Sequence, residues 1–153
     1  MQTVKIKNSD YVLVNERLKY FRENYTDWSL ESEILSVENG VCIIKAIIKD
    51  DKGIIKATGH AYEKEDSSFI NKTSYIENCE TSAWGRALGN LGIGIDTSVA
   101  SAEEVQNAIL NQEKDDKIKK LGCPICGKPI SEGSFKNWGM CASCKAKGAI
   151  KND

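Results

Sequence analysis

Four cysteines near the end of the chain have the type and spacing of metal ligands. They form two CxxC pairs with fourteen residues between them: Cys123, Cys126, Cys141 and Cys144. This spacing is typical of one tetrahedral zinc site in which the four thiolates are the ligands. Pro124 and Gly127 suit a tight turn that lets backbone amides approach the first two sulfurs. The pattern therefore predicts one structural Zn²⁺ in a small zinc ribbon, residues 121–153.

Two disulfides are the alternative use of these four cysteines. The first seven residues lack the apolar stretch of a signal peptide, so we expect a reducing compartment, which favours zinc. A module this small has little core, so metal binding would supply most of its folding energy. We expect the apolar segment 135–140 to form the hairpin between the two pairs. Cys42 and Cys79 lie on predicted apolar faces and are expected to be buried small hydrophobes.

Residues outside this cluster do not form the pattern of a catalytic site. The single histidine, His60, falls in a predicted strand, where a histidine is more often structural than catalytic. Asp50, Asp51 and Glu63 can be imagined as the magnesium site of a nuclease, but the two aspartates fit better as a hairpin turn. There is no GxxxxGK[ST] phosphate loop. We therefore expect a protein that is not an enzyme, and a metal-dependent nuclease is the least favoured function.

Two alternating segments predict a pair of antiparallel strands. Apolar and charged residues alternate from 41 to 50 and again from 54 to 64, on either side of a turn signal that ends at Gly53. One face of the second strand is small and smooth, which suits a helix lying close to it. That face consists of Ile55, Ala57, Gly59 and Ala61.

An unusual helix is predicted over residues 73–92. Ser74 and Glu77 fit a capping box at its start. Gly85 and Gly89 would each cost about 1 kcal/mol relative to alanine inside a helix. We expect the close approach of another part of the backbone to be the reason for them. A plain core helix of an α+β domain would show the same pattern.

The remaining segments are simpler. Ser101 and Glu104 form a second capping box, which opens a helix that decays into a charged linker. We expect a polar lead-in at 1–10, an amphipathic helix at 11–25, a first strand at 28–38, a loop at 65–72 and the linker at 113–120.

Several motifs follow one another along residues 11–109. They are Arg17 with Phe21-Arg22, the strand segment Gly59–Glu63, the run Glu77–Gly89 and the segment Ala100–Val105. Together they resemble phage single-strand DNA annealing proteins of the Sak type, which are related to the eukaryotic recombination mediator Rad fifty-two. The resemblance implies an α+β fold with a β-β-β-α core, an antiparallel meander packed on a helix. It assigns residues 1–112 to an annealing domain.

The resemblance also implies a function. Such proteins assemble as homo-oligomeric rings or filaments, bind single-stranded DNA along a positively charged groove, and anneal complementary strands without ATP. They act in phage-type recombination or replication, which implies the cytoplasm of a bacterial host cell. The eukaryotic relatives have a Lys-Arg pair where this chain has Gly85-Arg86, so only Arg86 is carried over as a DNA contact.

Charge is unevenly distributed along the chain. The net charge is −1, made of −4 over residues 1–120 and +3 over residues 121–153. Strand binding would therefore need a local cationic groove. Lysines on one face of the two strands, and one from the next loop, are the expected contacts: Lys45, Lys49, Lys56, Lys64 and Lys72. The alternative is the ordinary solvated face of a half-buried sheet.

The role of the zinc ribbon is left open between two possibilities. It can dock a single-strand-binding protein or another replication partner. It can also contact DNA, with Trp138 or Phe135 as stacking surfaces and with its lysines, which are Lys128, Lys136, Lys145, Lys147 and Lys151. For the whole chain, the alternative function is a non-catalytic interaction adaptor or counter-defence factor that reuses the fold. No apolar run is long enough to span a membrane, so no membrane partner is expected.

Overall fold

The computed structural model describes residues 1–120 and 122–148 of the chain. Within these ranges the strands form two antiparallel sheets, ordered β1-β2 and β3-β4-β5. The elements are β1 (Thr3–Ile6), β2 (Ser9–Val12), α1 (Val14–Asn24), β3 (Ser29–Glu38), β4 (Val41–Lys49), β5 (Ile55–Lys64), α2 (Asn71–Asn90), α3 (Ala102–Lys120), α4 (Glu132–Trp138) and α5 (Ala142–Ala146). The predicted α+β class is confirmed, and the three-stranded meander is followed by a helix.

Strand β4 lies at the centre of the larger sheet and has one buried face. Alternation along the strand sends four residues to that face, each 1% exposed or less: Cys42, Ile44, Ala46 and Ile48. Lys45 and Lys49 point to the opposite face, here called the outer face. The faces predicted from the alternation are therefore confirmed.

Helix α2 covers the buried face of β4 and β5. Its own buried apolar residues and Phe21 of α1 complete the core: Cys79, Ala83, Ala87 and Leu88. Full burial of a side chain such as Phe21 stabilises the fold by about 1.5–3 kcal/mol. Both predicted buried cysteines are found there. The Sγ of Cys79 lies 3.4 Å from the carbonyl oxygen of Cys42, and burial raises the pKa of the Cys79 thiol to about 12.

The helix can lie this close because Gly59 has no side chain. A Cβ atom at Gly59 would lie 2.3 Å from the backbone nitrogen of Ala87 and 2.6 Å from the carbonyl oxygen of Ala83. Both distances are far below van der Waals contact. Ala57, Gly59 and Ala61 of the predicted small face thus form the surface on which α2 rests. Ile55, the fourth residue predicted for that face, is 54% exposed, because a register shift places it opposite Lys49 of the outer face.

The N-terminal segment differs from its prediction. Residues 1–10 were expected to be a polar lead-in, but β1 and β2 form a hairpin there, with Thr3 opposite Val12 and Ile6 opposite Ser9. The turn places Lys7 at a φ of 54°, which is uncommon for a residue with a side chain. The hairpin was missed because the strands are short and the turn lacks glycine, the usual hairpin signal.

Helix α2 also begins differently from the prediction. It starts at Asn71 rather than at residue 73, and no side-chain hydrogen bond caps Ile70 at its N-cap position. Ser74, predicted to open a capping box, has non-helical dihedral angles (φ −142°, ψ 38°) and marks a kink inside the helix. The first turn of α2 therefore lies before Ser74, the residue at which the predicted capping box was expected to open the helix.

The cysteine-rich module is helical, which corrects the predicted ribbon. No strand occurs in the described range 122–148, and the expected hairpin at 135–140 is replaced by α4 and the turn after it. Ser131 caps α4 by accepting a hydrogen bond from the amide of Ser134, at 3.2 Å. Gly139 ends it with a left-handed φ of 63°. These two residues are standard helix boundaries, and the residues between them, including Phe135 and Trp138, form one short helix.

The chain divides into two compact units. The first unit is Met1–Ala108, and the second begins at Ile109. Helix α3 includes residues 113–120, so the predicted linker is helical. Lys151, one of the lysines noted in the sequence, lies outside the described residues.

The close approach at Gly59 generates a stability prediction. Gly59→Ala should destabilise the first unit by at least about 2 kcal/mol, because the new methyl group meets backbone atoms that cannot rotate away. Thermal or urea unfolding measures this change. Gly133→Ala is the control, since a Cβ there meets nothing within 4 Å. Equal stability of Gly59→Ala and the unchanged protein would contradict the packing described here.

Candidate nucleic-acid interface and metal centre

The four cysteines predicted as ligands converge on one point. Their Sγ atoms all lie within 4.8 Å of one another. Cys123 and Cys126 come from the loop before α4, whereas Cys141 is the N-cap of α5 and Cys144 lies within that helix. All four are free thiols. Four sulfur donors in one cluster can hold a single metal ion with tetrahedral geometry, as the spacing predicted.

Backbone amides point at the sulfurs of this cluster. The amide of Cys141 donates a hydrogen bond to the Sγ of Cys123 at 3.4 Å, and the amide of Cys144 donates to the Sγ of Cys141 at 3.4 Å. Gly127 adopts a φ of 69°, and its amide donates to the carbonyl oxygen of Cys123 at 2.7 Å. The tight turn expected from Gly127 is therefore present. Amides so directed stabilise thiolates, the form that binds metal.

Hydrogen bonds within the cluster shift the pKa values of two of its thiols in opposite directions. The hydrogen bond from the Cys141 amide lowers the pKa of the Cys123 thiol to about 6. Hydrogen bonds to Cys141 and Cys126 raise the pKa of the Cys144 thiol to about 12. Adjacent thiolates repel one another, and a divalent cation held between them would offset that repulsion. Metal binding requires the deprotonated form, and the donor set fits zinc.

The first unit is organised around a buried arginine. Arg17 is 0% exposed, and its guanidinium donates hydrogen bonds to backbone carbonyls. Nη1 bonds to the oxygens of Gly85 and Val99, each at 2.8 Å. Nη2 bonds to the oxygens of Ser98 at 2.8 Å and Gly94 at 3.3 Å. Burial lowers the pKa of Arg17. A buried charge needs such partners, and these tie α1 to α2 and to the segment after α2.

The two glycines inside α2 are explained by this arrangement. A Cβ at Gly89 would lie 2.6 Å from Nη1 of Arg17, and a Cβ at Gly85 would lie 2.7 Å from Cγ2 of Val14. Helix α1 thus approaches α2 where side chains are missing. The expected approach of another backbone segment is found only at Gly89, where a Cβ would also lie 2.7 Å from the carbonyl oxygen of Val99; at Gly85 the approaching atoms belong to side chains.

Arg86, the residue expected to contact DNA, is held by a carboxylate. Its Nε donates to Oε1 of Glu104 at 2.9 Å, and its Nη2 lies 2.7 Å from the same oxygen. The side chain of Arg86 is 38% exposed and that of Glu104 is 14% exposed. Glu104 also accepts a hydrogen bond from the amide of Ser101 at 2.8 Å and donates its own amide to the Ser101 hydroxyl at 3.3 Å. The predicted second capping box is therefore confirmed.

The strand lysines lie on a face of mixed charge. Lys45, Lys49 and Lys64 share the outer face of the sheet, as the alternation predicted. Strand β3 brings three acidic residues to the same face, which are Glu31, Glu33 and Glu38. Glu33 lies opposite Lys45, and Lys49 forms a 2.6 Å ion pair with Glu31. The outer face is therefore not the cationic groove that β4 and β5 suggested by themselves.

The remaining predicted contacts are divided between the two sides of the sheet. The Nζ of Lys56 is 3.0 Å from a carboxylate oxygen of Asp50 and 5.9 Å from the ring centroid of Trp28. Lys72 is exposed in the first turn of α2. Because α2 covers the buried face, Arg86 and Lys72 are separated from the lysines of the outer face.

A buried polar cluster behind β5 was not predicted. Glu63 is 5% exposed and accepts hydrogen bonds from the side-chain Nδ2 groups of Asn71 at 2.7 Å and Asn107 at 3.0 Å. Asn78 donates to Asn71 at 2.9 Å. Burial raises the pKa of Glu63. Asp50 instead accepts a hydrogen bond from the amide of Ile54 in its own turn, so Asp50 and Glu63 serve different local structures.

An exposed aromatic residue was also missed. Phe69 is 89% exposed and Ile70 is 57% exposed, in the loop between β5 and α2. Two hydrogen bonds from Asn71 hold this loop. Its backbone amide donates to the Ser68 hydroxyl at 3.2 Å, and its side-chain Nδ2 donates to the Ser67 hydroxyl at 2.6 Å. An exposed aromatic ring held this way can stack on a base. A single aromatic residue in a loop has no periodicity, so the sequence offered no signal for it.

The comparisons with known proteins give one match. A family model described as Slr1353 N-terminal dsRNA-binding domain-like matches residues 18–91, slightly less than half of the chain. The matched range runs from α1 through the three-stranded sheet to the end of α2. Comparisons with curated proteins and with solved structures found no match. The first unit is thus similar to a nucleic-acid-binding domain.

No helix in the described part of the chain combines the length and apolar character that a membrane span requires.

The cysteine cluster generates a metal-binding prediction. Purified protein should contain one zinc per chain, and Cys141→Ser should lose it, because three thiolates and a hydroxyl bind zinc poorly. Metal ligation contributes on the order of 10 kcal/mol in small zinc peptides, so the second unit should unfold in that variant. Elemental analysis and amide hydrogen exchange measure the two effects.

Ser143→Ala is the matched control, because Ser143 lies exposed between the two ligands of the same pair. It should keep its zinc and its protection from exchange. Protein that carries no zinc when purified under reducing conditions, or a Cys141→Ser variant that retains it, would contradict the metal assignment.

Proposed function

We propose that the protein binds nucleic acid through its first unit and anneals complementary single strands of DNA without covalent catalysis. The observation that carries this proposal is the match of residues 18–91 to a family described as dsRNA-binding domain-like. The match supports nucleic acid as the partner. The run Glu77–Gly89, through its resemblance to phage annealing proteins, supports strand annealing in recombination or replication.

The proposed contacts on α2 are Arg86 and Lys72. A guanidinium can bind two phosphate oxygens at once, and an ammonium acts as a point charge. Phosphate contacts fix the strand without reading its sequence. The bases remain free, so a second strand can test its register against the first. This mechanism needs no ATP and no general acid or base.

The lysines of the outer face are secondary contacts in this proposal. Lys49 and Lys56 are paired with Glu31 and Asp50, so each would have to exchange a carboxylate for a phosphate. Surface ion pairs of this kind are worth only about 0–1 kcal/mol, so the exchange is inexpensive. Arg86 is paired as well, with Glu104, but the outer face carries two further acidic residues, Glu33 and Glu38, which would repel a phosphate, so α2 is favoured over the sheet.

Assembly into a homo-oligomer would extend the binding surface. One unit this small offers a short track, whereas a ring or filament aligns many. Edge strand β3 supports assembly, because it exposes Ile34, Leu35 and Val37 to 59%, 48% and 41%. Exposed apolar residues on an edge strand are typical of a surface that pairs with another chain.

The second unit holds one structural zinc ion in this proposal. Zinc would connect the loop before α4 to the start of α5 and so stabilise a module with few core residues. Phe135 and Trp138 are 42% and 43% exposed. They can serve either as stacking surfaces for DNA or as a docking surface for a single-strand-binding protein, as the sequence already left open.

Double-stranded RNA is the second candidate ligand, and the description of the matched family favours it. Proteins that bind this ligand recognise the shape of the A-form helix and its 2′-hydroxyl groups across the minor groove. A single-strand binder instead accepts DNA and RNA strands and discriminates against duplexes. Competition between matched ligands therefore separates the two candidates.

The test is a binding panel with single-stranded DNA, double-stranded DNA and double-stranded RNA of equal length at several salt concentrations. We expect single-stranded DNA to bind most tightly, with a log–log salt slope of about −0.7 per phosphate neutralised. Tighter binding of double-stranded RNA would replace the annealing function with the second candidate. Failure of all three ligands to bind at low salt would favour the protein-interaction adaptor.

Arg86→Ala should weaken binding of single-stranded DNA without changing the size of the assembly, because a phosphate contact is electrostatic and not a packing contact. Lys19→Ala is the matched control, since it removes the same charge from an exposed position on α1. Equal losses in the two variants would show that only net charge matters and would remove Arg86 from the interface.

A further inference from the structure

The first turn of α3 presents two adjacent carboxylates to the rest of the first unit. Glu103 accepts hydrogen bonds from the amide of Val14 at 3.1 and 3.2 Å and so caps the start of α1. Glu104 holds the guanidinium of Arg86. Of these neighbouring acids, Glu103 thus caps another helix, whereas Glu104 pairs with a cation.

The contact with Glu104 uses the part of Arg86 that is best suited to an oxyanion. Nε and Nη2 are two parallel donors on one edge of the guanidinium, and this is an edge that forms bidentate bonds with carboxylate or phosphate. Both donors are directed at Oε1 of Glu104. A phosphate can use this edge only after the carboxylate has left it.

We propose that Glu104 is an internal competitor that occupies the phosphate-binding edge of Arg86 until nucleic acid displaces it. This inference rests on the proposed function, in which Arg86 holds a phosphate. Displacement requires a side-chain rotation that also gives up the hydrogen bond from the Ser101 amide to the carboxylate. It requires no unfolding of α3, because the hydroxyl of Ser101 still caps the amide of Glu104. The helix turn therefore stays in place while its carboxylate moves aside.

Such competition favours polymeric ligands over single anions. A free phosphate or nucleotide must displace the carboxylate with the binding energy of one contact. A strand already held at other positions presents its next phosphate at a high effective concentration. Masking of Arg86 would thus suppress binding of mononucleotides while permitting binding of strands.

Glu104→Gln tests the proposal with little change of structure. Glutamine is accepted in the capping box, so the start of α3 should be kept while the negative charge is removed. We expect single-stranded DNA to bind about two- to fivefold more tightly, since a partly exposed ion pair is worth up to about 1 kcal/mol and 1.4 kcal/mol is tenfold. Fluorescence anisotropy with a labelled strand measures the change, and circular dichroism checks that the variant is folded.

Glu103→Gln is the matched control. It removes the same charge from the neighbouring residue but leaves the Arg86–Glu104 pair intact, so it should tighten binding less. The Arg86→Ala substitution should abolish the gain produced by Glu104→Gln, in a double-mutant cycle. Equal increases in DNA affinity in the two glutamine variants would overturn the proposal that Glu104 masks Arg86. An increase that persists in the absence of Arg86 would overturn it as well.

The same experiment distinguishes failure of the proposal from failure of the proposed function. If the unchanged protein binds strands and Glu104→Gln binds them no more tightly than Glu103→Gln, only the proposal that Glu104 masks Arg86 is wrong. If neither the unchanged protein nor any variant binds nucleic acid at low salt, the proposed function is wrong and the masking falls with it.

Discussion

The guanidinium of Arg17 is the group on which the first unit depends. It is fully buried, and its charge is accommodated by the carbonyl oxygens of α2 and of the segment that follows α2. Removing a charge from water is costly unless its donors are bonded, so these carbonyls must stay in place. The same contact requires glycine at position 89, because a Cβ there would meet the guanidinium. Through these constraints one residue of α1 sets the position of α2, and Arg86 lies on that helix.

A chain of polar contacts extends this arrangement to α3. Glu103 caps α1, Glu104 pairs with Arg86, and Asn107 donates to Glu63 of β5. The beginning of α3 is therefore attached through carboxylates and amides. An anionic ligand can replace the carboxylate or amide partner in a contact of this kind. Buried apolar packing has no such substitute, because the whole contact is lost when the packing opens. The attachment of α3 and the proposed phosphate contact consequently share one residue, Arg86.

Local patterns predicted much of the fold. Alternation in β4 and β5 identified the buried face, and the small residues of β5 and α2 identified a close helix. The capping box at Ser101 predicted the start of α3, and the spacing of the four cysteines predicted their cluster. Each pattern depends on residues that are near in sequence or obey fixed ligand geometry.

The features that were missed depend on contacts between distant segments. The glutamates of β3 neutralise the outer face only through the register of β3 with β4, which the composition of either strand does not reveal. Burial of Arg17 depends on carbonyls more than sixty residues away in sequence, such as that of Gly85. The helices of the cysteine module were missed because a short apolar segment suits either a strand or a helix.

The two units have different sources of stability in this account. The first has a continuous apolar core between the sheet and α2, whereas the second has a small cluster that consists mainly of the cysteines themselves: Cys123, Ile130, Met140, Cys141 and Cys144. Metal should therefore matter for the second unit and little for the first. A binding function in the first unit would then survive loss of the metal, and a function in the second would not.

Protection of arginine side chains by DNA tests the central claim most directly. The chain has three arginines, of which Arg17 is buried, Arg22 is exposed on α1 and Arg86 is partly exposed on α2. A dicarbonyl reagent that modifies arginine, read by mass spectrometry with and without single-stranded DNA, reports on all three in one experiment. The account predicts that DNA protects Arg86, leaves Arg22 reactive and leaves Arg17 unmodified in both states. Equal reactivity of Arg86 with and without saturating DNA would contradict it.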